Sequence, residues 1–190
     1  DPATSDGFAA LRITSAHADW LRGLPATRWV AADVLLVHGT PASDLSYWLE
    51  TVTPDFGTHG STGLRAATAE EVEARLGEGE ARQRASLVLC GHSHVPRAAQ
   101  AGGTLVVNPG SVGLQAYDDT HGGYHRVHNG SPHARYAVVE RRAAGWQVRQ
   151  CAVAYDWDAM ARLAAENGAA DWAYALATGC MPPPPATITA

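Results

Sequence analysis

The chain alternates short apolar runs with polar, glycine-containing turns, and this pattern predicts a mixed αβ protein. Three apolar runs, residues 32–37, 86–90 and 105–107, have the length of single strands. Each run is continuous rather than alternating, which is typical of strands that are buried on both faces of a sheet. Further along the chain, residues 136–140 and 147–154 are predicted to pair as a hairpin.

Helices are predicted where a capping residue precedes apolar positions that recur every three or four residues. The first of them is expected to turn Trp20 and Leu21 toward a core, and residues 115–133 are expected to form a long surface loop. The predicted helices are residues 16–22, a helix capped by Ser43 or Asp44 that runs to about residue 52, a helix capped by Thr68 that runs to residue 76, a helix capped by Asp156 that runs to about residue 166, and residues 170–177.

Length and composition predict one domain with a substantial core. The chain has 190 residues, of which 46% are hydrophobic, and no apolar run approaches the roughly 18 residues that a membrane-spanning helix needs. We therefore expect no membrane association. The predicted organisation is a tail at residues 1–13, a single domain at residues 14–180, and a Pro-rich tail at residues 181–190.

Charge and cysteine content argue against a nucleic-acid-binding protein and against a fold held by disulfides or a cysteine metal site. The net charge is −5 and all 14 basic residues are arginines without a basic run, so no nucleic-acid-binding patch is expected. Three irregularly spaced cysteines indicate neither a disulfide framework nor a cysteine metal site. Together with the lack of a signal-peptide pattern at the beginning of the sequence, they predict a cytoplasmic location.

Histidines follow two of the three apolar strands. His38 ends the first run, and His92 and His94 lie just beyond the second. Carboxyl ends of buried strands are where sheets of this type assemble active sites. In an extended chain, the two histidines at i and i+2 would point the same way about 6.6 Å apart. They could hold one ion or one ion each of a pair, with His38 as a third imidazole, and neutral imidazole suits Zn, Mn, Fe or Ni.

Simpler interpretations of the remaining candidate residues stay open. Cys90 lies in an apolar strand and is expected to be buried and inert. Arg97 would contact a substrate phosphate or form a surface ion pair. The remaining loop histidines are expected to be solvated, with substrate contact open for His125 and His133.

Three motifs together resemble one enzyme family. His38-Gly39, Gly91-His92-Ser93-His94 and Asn108-Pro109-Gly110-Ser111, in this order and spacing, resemble the calcineurin-like metallophosphoesterases, in particular a small bacterial and archaeal phosphodiesterase-like branch. The resemblance covers about residues 12–180. It implies an α+β fold, namely the back half of a four-layer α-β-β-α sandwich with mixed β-sheets.

The resemblance also implies a chemistry. The family hydrolyses phosphomonoesters or phosphodiesters with a hydroxide that bridges two divalent metal ions, so the partner would be a small phosphorylated substrate. Manganese is the expected metal, with Fe, Ni or Zn as alternatives. By the resemblance, His38 and His92 would bind the second metal and His94 the first, and no catalytic residue is assigned beyond these ligands.

The sequence departs from the family in its carboxylates. The family's Asp-x-His after the first strand, its Gly-Asp and its Gly-Asn-His-Asp have no counterpart in place here, and Asp19 and Asp33 do not stand in such motifs. Three imidazoles would face up to four positive charges without an anion to offset them. The hypothesis is therefore a carboxyl-terminal portion that is inactive alone. A degenerate, non-catalytic binding domain and a hydrolase with one metal on three histidines are the alternatives.

Overall fold

The computed structural model describes residues 4–183 and has an α+β architecture built around a five-stranded mixed sheet. The helices are α1 (Ser5–Ala10), α2 (Ser15–Arg22), α3 (Ala69–Leu76), α4 (Glu80–Arg84), α5 (Trp157–Glu166) and α6 (Ala170–Thr178), with a short 3₁₀ turn at Thr58–Gly60. The strands are β1 (Thr27–Ala31), β2 (Val34–Val37), β3 (Glu50–Val52), β4 (Leu64–Ala66), β5 (Leu87–Leu89), β6 (Arg97–Ala101), β7 (Thr104–Asn108), β8 (Ala116–Asp119), β9 (His125–His128), β10 (Ala134–Arg142) and β11 (Gly145–Val153).

The central sheet has the strand order β1-β2-β5-β7-β6. Strands β2, β5 and β7 are parallel neighbours, with Leu36 opposite Leu89 and Leu89 opposite Val107, whereas β1 and β6 pair antiparallel at the two edges. Strands β2 and β5 lie within the apolar runs at residues 32–37 and 86–90, and β7 includes the run at residues 105–107, so those strand predictions are confirmed. Because their carboxyl ends meet at one edge of the sheet, the turns that follow β2, β5 and β7 are neighbours.

Both faces of the central sheet are covered, by different elements. One face carries Leu35, Val88 and Val106 against the side chains of α3 and α4, including the buried Val72. The other face packs against the β10–β11 hairpin, which lies over the fully buried Leu87. Burial on both sides explains why these strands are continuous apolar runs. The molecule therefore layers helices, a mixed sheet and a second two-stranded sheet.

The two last helices form a separate layer with the β8–β9 hairpin. Helices α5 and α6 contact each other, and α6 also contacts β8, where Ala116 and Ala175 are both buried. Asp156 caps α5 by accepting a hydrogen bond from the Ala159 N–H at 3.0 Å, as the sequence predicts. Both helices and the hairpin β10–β11 match their predicted positions within a few residues.

Helix α3 fixes the segment before and within β3. Thr68 and Glu71 form a reciprocal capping box at its first turn, and the Glu71 carboxylate also accepts from Thr51 Oγ1 at 2.9 Å. One turn further on, Arg75 donates to the Trp48 carbonyl at 2.7 Å and the Glu50 carbonyl at 3.0 Å. The helix thereby holds Glu50 at a defined place below the sheet edge.

Two segment predictions were wrong. Residues 45–49 form an irregular loop that leads into β3 rather than a helix, although Trp48 and Leu49 are buried as a helical stripe would be. Arg75 binds the carbonyls of this segment and so replaces the intrahelical bonds. Residues 115–133 contain the β8–β9 hairpin rather than only a surface loop, because Ala116 and Val127 alternate with polar residues and are buried.

The amino-terminal helices differ from expectation in their burial. Helix α2 forms where predicted, but Trp20 is 65% exposed and Leu21 is 48% exposed, so the prediction that they face a core was wrong. Residues 5–10 of the predicted tail form α1. At the other end, the predicted Pro-rich tail lies outside the described residues beyond residue 183.

The part of the chain that the structure describes has no helix of the length and apolarity required to cross a bilayer.

The α3 clamp is the set of hydrogen bonds that the Glu71 carboxylate accepts from Arg65, Thr68 and Thr51. Replacing Glu71 by Gln tests it through the pH dependence of the free energy of unfolding. Hydrogen bonds from the Arg65 guanidinium, then from the Thr68 backbone N–H, hold the pKa of the Glu71 carboxyl below its usual value of 4.5. A lowered folded-state pKa contributes stability that is present above the unfolded-state pKa and is lost as pH falls toward the folded value. We expect Glu71→Gln to destabilise the protein at pH 7 and the difference from wild type to shrink below about pH 4.5. Urea unfolding at pH 7, 5 and 3.5 measures this.

The matched control is Glu78→Gln, because the Glu78 side chain is 90% exposed and only approaches Arg82 at 3.6 Å. Its effect on the free energy of unfolding should be small at every pH. A Glu71→Gln deficit that stays constant with pH would contradict the clamp.

Candidate metal centre

The turns after β2, β5 and β7 are hydrogen-bonded to each other at the carboxyl edge of the sheet. The Gly91 N–H donates to the His38 carbonyl at 2.8 Å, and the Cys90 N–H donates to the Val107 carbonyl at 2.9 Å. The Asn108 side chain adds a bond from Nδ2 to the Gly91 carbonyl at 2.6 Å. The three motifs that the sequence analysis selected therefore form one structural unit.

His38 and His92 are adjacent in this unit. Their ring centroids lie 4.9 Å apart with the planes inclined by 45°. His38 follows β2 directly and is exposed, whereas His92 is partly buried and packs on the Tyr47 ring at 4.6 Å. Two imidazoles at this separation, one of them open to solvent, can present ring nitrogens to the same small volume.

His94 has a fixed tautomer. Its Nδ1 lies 2.9 Å from the Leu114 carbonyl oxygen, and because a carbonyl only accepts, Nδ1 carries the proton. The lone pair then lies on Nε2, which is the arrangement that orients metal-binding histidines through a backbone partner. The ring also makes an edge contact with Tyr117 at 5.1 Å. His94 is thus prepared to ligate through Nε2.

The Gly-His-Ser-His segment is a turn rather than an extended strand. His92 has φ 65° and His94 has φ 58°, both in the left-handed region that side chains rarely adopt, and the Ser93 N–H donates to the Gly91 carbonyl at 2.8 Å. The expectation of an extended chain through the two histidines was therefore wrong. Strand β5 ends at Leu89, and the strain is the cost of turning both rings at the sheet edge.

Two glycines allow the turns to approach other backbone closely. A Cβ at Gly39 would lie 2.4 Å from the Ser46 carbonyl oxygen and 2.7 Å from that of Ser43. At Gly110, where φ is 87°, it would lie 2.8 Å from the Arg135 Cβ. These contacts give a physical reason for the glycines of the His-Gly and Asn-Pro-Gly turns.

A buried carboxylate braces the site from below. Glu50 is 2% exposed; its Oε2 accepts from Ser93 Oγ, and its Oε1 accepts from Arg97 Nε at 2.8 Å. Ser93 Oγ in turn accepts from Asn108 Nδ2 at 3.1 Å. Arg97 is therefore the partner of a buried acid rather than part of a surface ion pair. Glu50 belongs to no motif in the sequence, and its segment has the apolar spacing that predicts a helix.

Two tyrosines and a histidine form a buried chain beside His92. His125 Nδ1 donates to the Gly123 carbonyl at 2.8 Å, so its Nε2 is free to accept from the Tyr47 hydroxyl at 2.9 Å. Tyr47 and Tyr117 share a hydroxyl contact of 2.8 Å, and Tyr117 reaches the His92 carbonyl at 3.1 Å. His125 is 0% exposed, so the expectation that it is a solvated loop histidine was wrong.

Burial favours the neutral forms of His92, His94, Tyr47 and Cys90. It lowers the pKa of His92 and of His94, in spite of hydrogen bonds to the Leu45 and Leu114 backbones that act in the opposite direction. It raises the pKa of Tyr47 to about 12. It also raises the pKa of the Cys90 thiol to about 12, which confirms that Cys90 is buried and makes a thiolate nucleophile unfavourable at neutral pH.

A cavity of about 230 Å³ opens beside His92. Asp119 and His121 line it together with Tyr47, Glu50 and Arg75. Burial acts to raise the pKa of Asp119, but hydrogen bonds from the backbone N–H groups of His121 and Thr120 have the larger combined effect and lower it. The Asp119 carboxylate is therefore an anion at neutral pH. The Asp-x-His spacing of residues 119–121 is visible in the sequence, but it lies after the Asn-Pro-Gly-Ser turn in a segment that was predicted to be surface loop.

The donor set is incomplete for a pair of metal ions. Within residues 4–183, no three His, Cys, Asp or Glu side chains gather closely enough to hold a cation. Of the three predicted imidazoles, His38 and His92 are adjacent, and His94 lies in the same turn as His92. Glu50 is engaged by Ser93 and Arg97. Two divalent ions require several anionic ligands to offset their charge, and besides the engaged Glu50, Asp119 is the one carboxylate that lines the cavity within the described residues. The residues therefore fit part of such a centre and not all of it.

Comparison with known proteins identifies the family. The calcineurin-like phosphoesterase superfamily domain matches residues 14–130, which is more than half of the chain, and the chain belongs to this superfamily. The fold is similar to that of a metallophosphoesterase from Sphaerobacter thermophilus, at 19% identity and TM-score 0.65, over 93% of this chain and 68% of that one. A hypothetical protein from Pyrococcus horikoshii OT3 is also similar, at 17% identity and TM-score 0.58, over 94% and 67% of the respective chains. Comparison with curated proteins gives no match.

The superfamily and the fold class stand as the sequence predicted them. Members of this superfamily are in general dinuclear metal-dependent hydrolases of phosphate esters. The α+β architecture with its mixed sheet agrees with a metallophosphoesterase fold. The assignment of individual metal ligands rests on the geometry described above and remains a prediction.

Replacing Ser93 by Ala tests the brace. The substitution removes one donor to the buried Glu50 carboxylate and one acceptor of Asn108, and leaving such groups unpaired costs about 1–3 kcal/mol. We expect that loss in the free energy of unfolding in urea. Ser46→Ala is the matched control, because Ser46 is exposed and its change should be within about 0.5 kcal/mol. Equal effects of the two substitutions would show that the brace contributes nothing.

Proposed function

We propose that the protein serves metal-dependent hydrolysis of small phosphate monoesters or diesters, with His38, His92 and His94 as its imidazole ligands. The observation that supports this most directly is the adjacency of His38 and His92, 4.9 Å apart, at the ends of neighbouring parallel strands. Manganese is the first candidate metal, with Fe, Ni or Zn as alternatives, since neutral imidazole suits all four. When bound, such ions would supply Lewis-acid stabilisation of the phosphoryl oxygens.

The residues of the chain would contribute by orientation and desolvation. His94 donates a hydrogen bond from Nδ1 to the Leu114 carbonyl, which fixes the ring and leaves the lone pair on Nε2. Tyr117 donates to the His92 carbonyl and the Tyr47 ring contacts the His92 ring at an inclined angle of 50°, and both contacts hold this imidazole in place. Because burial lowers the pKa of His92 and His94, their nitrogens would enter the site with lone pairs rather than protons.

We further propose that these residues alone do not complete a catalytic site. Three imidazoles leave the charge of two divalent ions unbalanced, and the nearest buried carboxylate, Glu50, is saturated by Ser93 and Arg97. The carboxylate ligands that the family uses are not in place in this sequence. Catalysis then requires anionic ligands beyond those described.

The ligand assignment is tested by paramagnetic line broadening. Substoichiometric Mn²⁺ added to the protein should broaden the imidazole proton resonances of His38, His92 and His94 before those of other histidines, because broadening falls steeply with distance from the ion. His92→Ala should abolish the broadening at His38. Exposed His59 is the control, and its replacement by Ala should leave the pattern unchanged. Broadening spread evenly over all histidines, or unchanged in His92→Ala, would refute the assignment.

The incompleteness of the site is tested by activity. With Mn²⁺ and bis-p-nitrophenyl phosphate or p-nitrophenyl phosphate, we expect hydrolysis by the chain alone to equal that of buffer with metal. The His92→Ala variant provides the matched baseline. A rate that depends on Mn²⁺, exceeds this baseline and is lost in His92→Ala would show instead that the present residues complete a working centre.

A further inference from the structure

A second cavity lies on the other side of Glu50 from the His92 cavity, and arginines line it. Its volume is about 160 Å³, well above the roughly 10–15 Å³ that one water molecule requires. Arg65 comes from β4, Arg97 from the start of β6 and Arg126 from β9. Three strands of three different sheets thus bring three guanidinium groups to one place in a chain whose net charge is −5.

Arg97 and Arg126 are held by contacts that leave donors free, whereas both terminal nitrogens of Arg65 are engaged by Glu71 and the Ala66 carbonyl. Arg97 uses Nε for Glu50, and Arg126 donates from Nε to the Tyr124 hydroxyl at 3.0 Å and from Nη1 to the Pro182 carbonyl at 2.8 Å. Within residues 4–183, no partner engages the two terminal nitrogens of Arg97 or Nη2 of Arg126. The groups are therefore oriented in advance, which reduces the entropy cost of binding a ligand.

The charge of the cavity is unbalanced. Glu71 neutralises Arg65 and Glu50 neutralises Arg97, but Arg126 has no carboxylate partner within the described part of the chain. Its positive charge acts on His128, whose pKa is lowered by burial first and by Arg126 second. His128 Nδ1 accepts from the Met181 N–H at 2.9 Å, so the neutral ring carries its proton on Nε2 and adds a donor.

We propose that this arginine cavity, defined by Arg65, Arg97, Arg126 and His128, binds a phosphate group. Guanidinium groups offer paired N–H donors that match the geometry of phosphate oxygens, and the excess positive charge selects an anion over a neutral ligand. The source of the phosphate group rests on the proposed function, by which the group belongs to the substrate. Binding to the cavity itself requires no metal ion, so the two proposals fail separately.

Binding is measured by isothermal titration in EDTA buffer with inorganic phosphate, pyrophosphate and adenosine monophosphate as probes. We expect pyrophosphate to bind more tightly than phosphate and both affinities to fall as NaCl increases. Arg126→Gln should weaken pyrophosphate binding about tenfold or more, the effect of losing one charged hydrogen bond. The substitution removes no partner of a buried carboxylate, so we expect the fold to persist, and circular dichroism checks this.

The control is Arg149→Gln, which makes the same change of charge on the exposed face of β11 away from the cavity. Its affinity should stay within about twofold of wild type. Inorganic phosphate that binds as tightly as adenosine monophosphate would indicate a site for free phosphate, whereas tighter binding of the ester would indicate the substrate. Absence of binding for all three probes, or equal losses in Arg126→Gln and Arg149→Gln, would overturn the proposal.

Discussion

The Glu50 carboxylate is the constraint on which the site depends. It is almost fully buried and is satisfied on one oxygen by Ser93 and on the other by Arg97. A buried carboxylate costs several kcal/mol unless it is hydrogen-bonded and paired, so these partners are held where they are. Ser93 lies between the two histidines of the metal motif, and Arg97 lines the arginine cavity. One buried acid therefore sets the position of a predicted metal ligand pair and of a proposed anion site.

Through Glu50, the short strand β3 affects the conformation of the Gly-His-Ser-His turn, which lies about 40 residues further along the chain. Glu50 belongs to β3, which α3 holds through Arg75 and through the Glu71–Thr51 hydrogen bond. Thr68 caps the same helix. Residues 68–75 thus position the Glu50 carboxylate, and Glu50 in turn holds the Gly-His-Ser-His turn through Ser93. His92 and His94 keep their left-handed conformations because the hydrogen bonds of this network and of the Leu114 carbonyl stabilise the turn by more than the backbone strain costs.

The sequence predicts the central sheet well because other elements pack on both of its faces, and such packing leaves a continuous apolar run at residues 34–37, 87–89 and 105–107. It predicts the position of the histidines because they directly follow those runs. It does not predict β3 or the β8–β9 hairpin, whose strands are three or four residues long and are stabilised by pairing and side-chain bonds. Apolar periodicity carries no signal for an interaction such as Glu50 with Arg97, 47 residues apart. His125 shows the same limit, since only the tertiary contact with Tyr47 makes it a buried residue.

The two cavities divide the chemistry of the site by charge. On the His92 side, burial lowers the pKa of His92, and Asp119 is the only lining carboxylate besides the engaged Glu50 within the described residues. On the other side, Arg126 leaves one positive charge unbalanced. Under the two proposals, a phosphate ester would be drawn to the second side by fixed charge and to the first only when cations are bound, because a neutral imidazole carries no charge that attracts an anion. The arginine cavity would then attract the ester in the metal-free chain as well, whereas the proposed metal site depends on completing the ligand set with anions that these three histidines cannot replace.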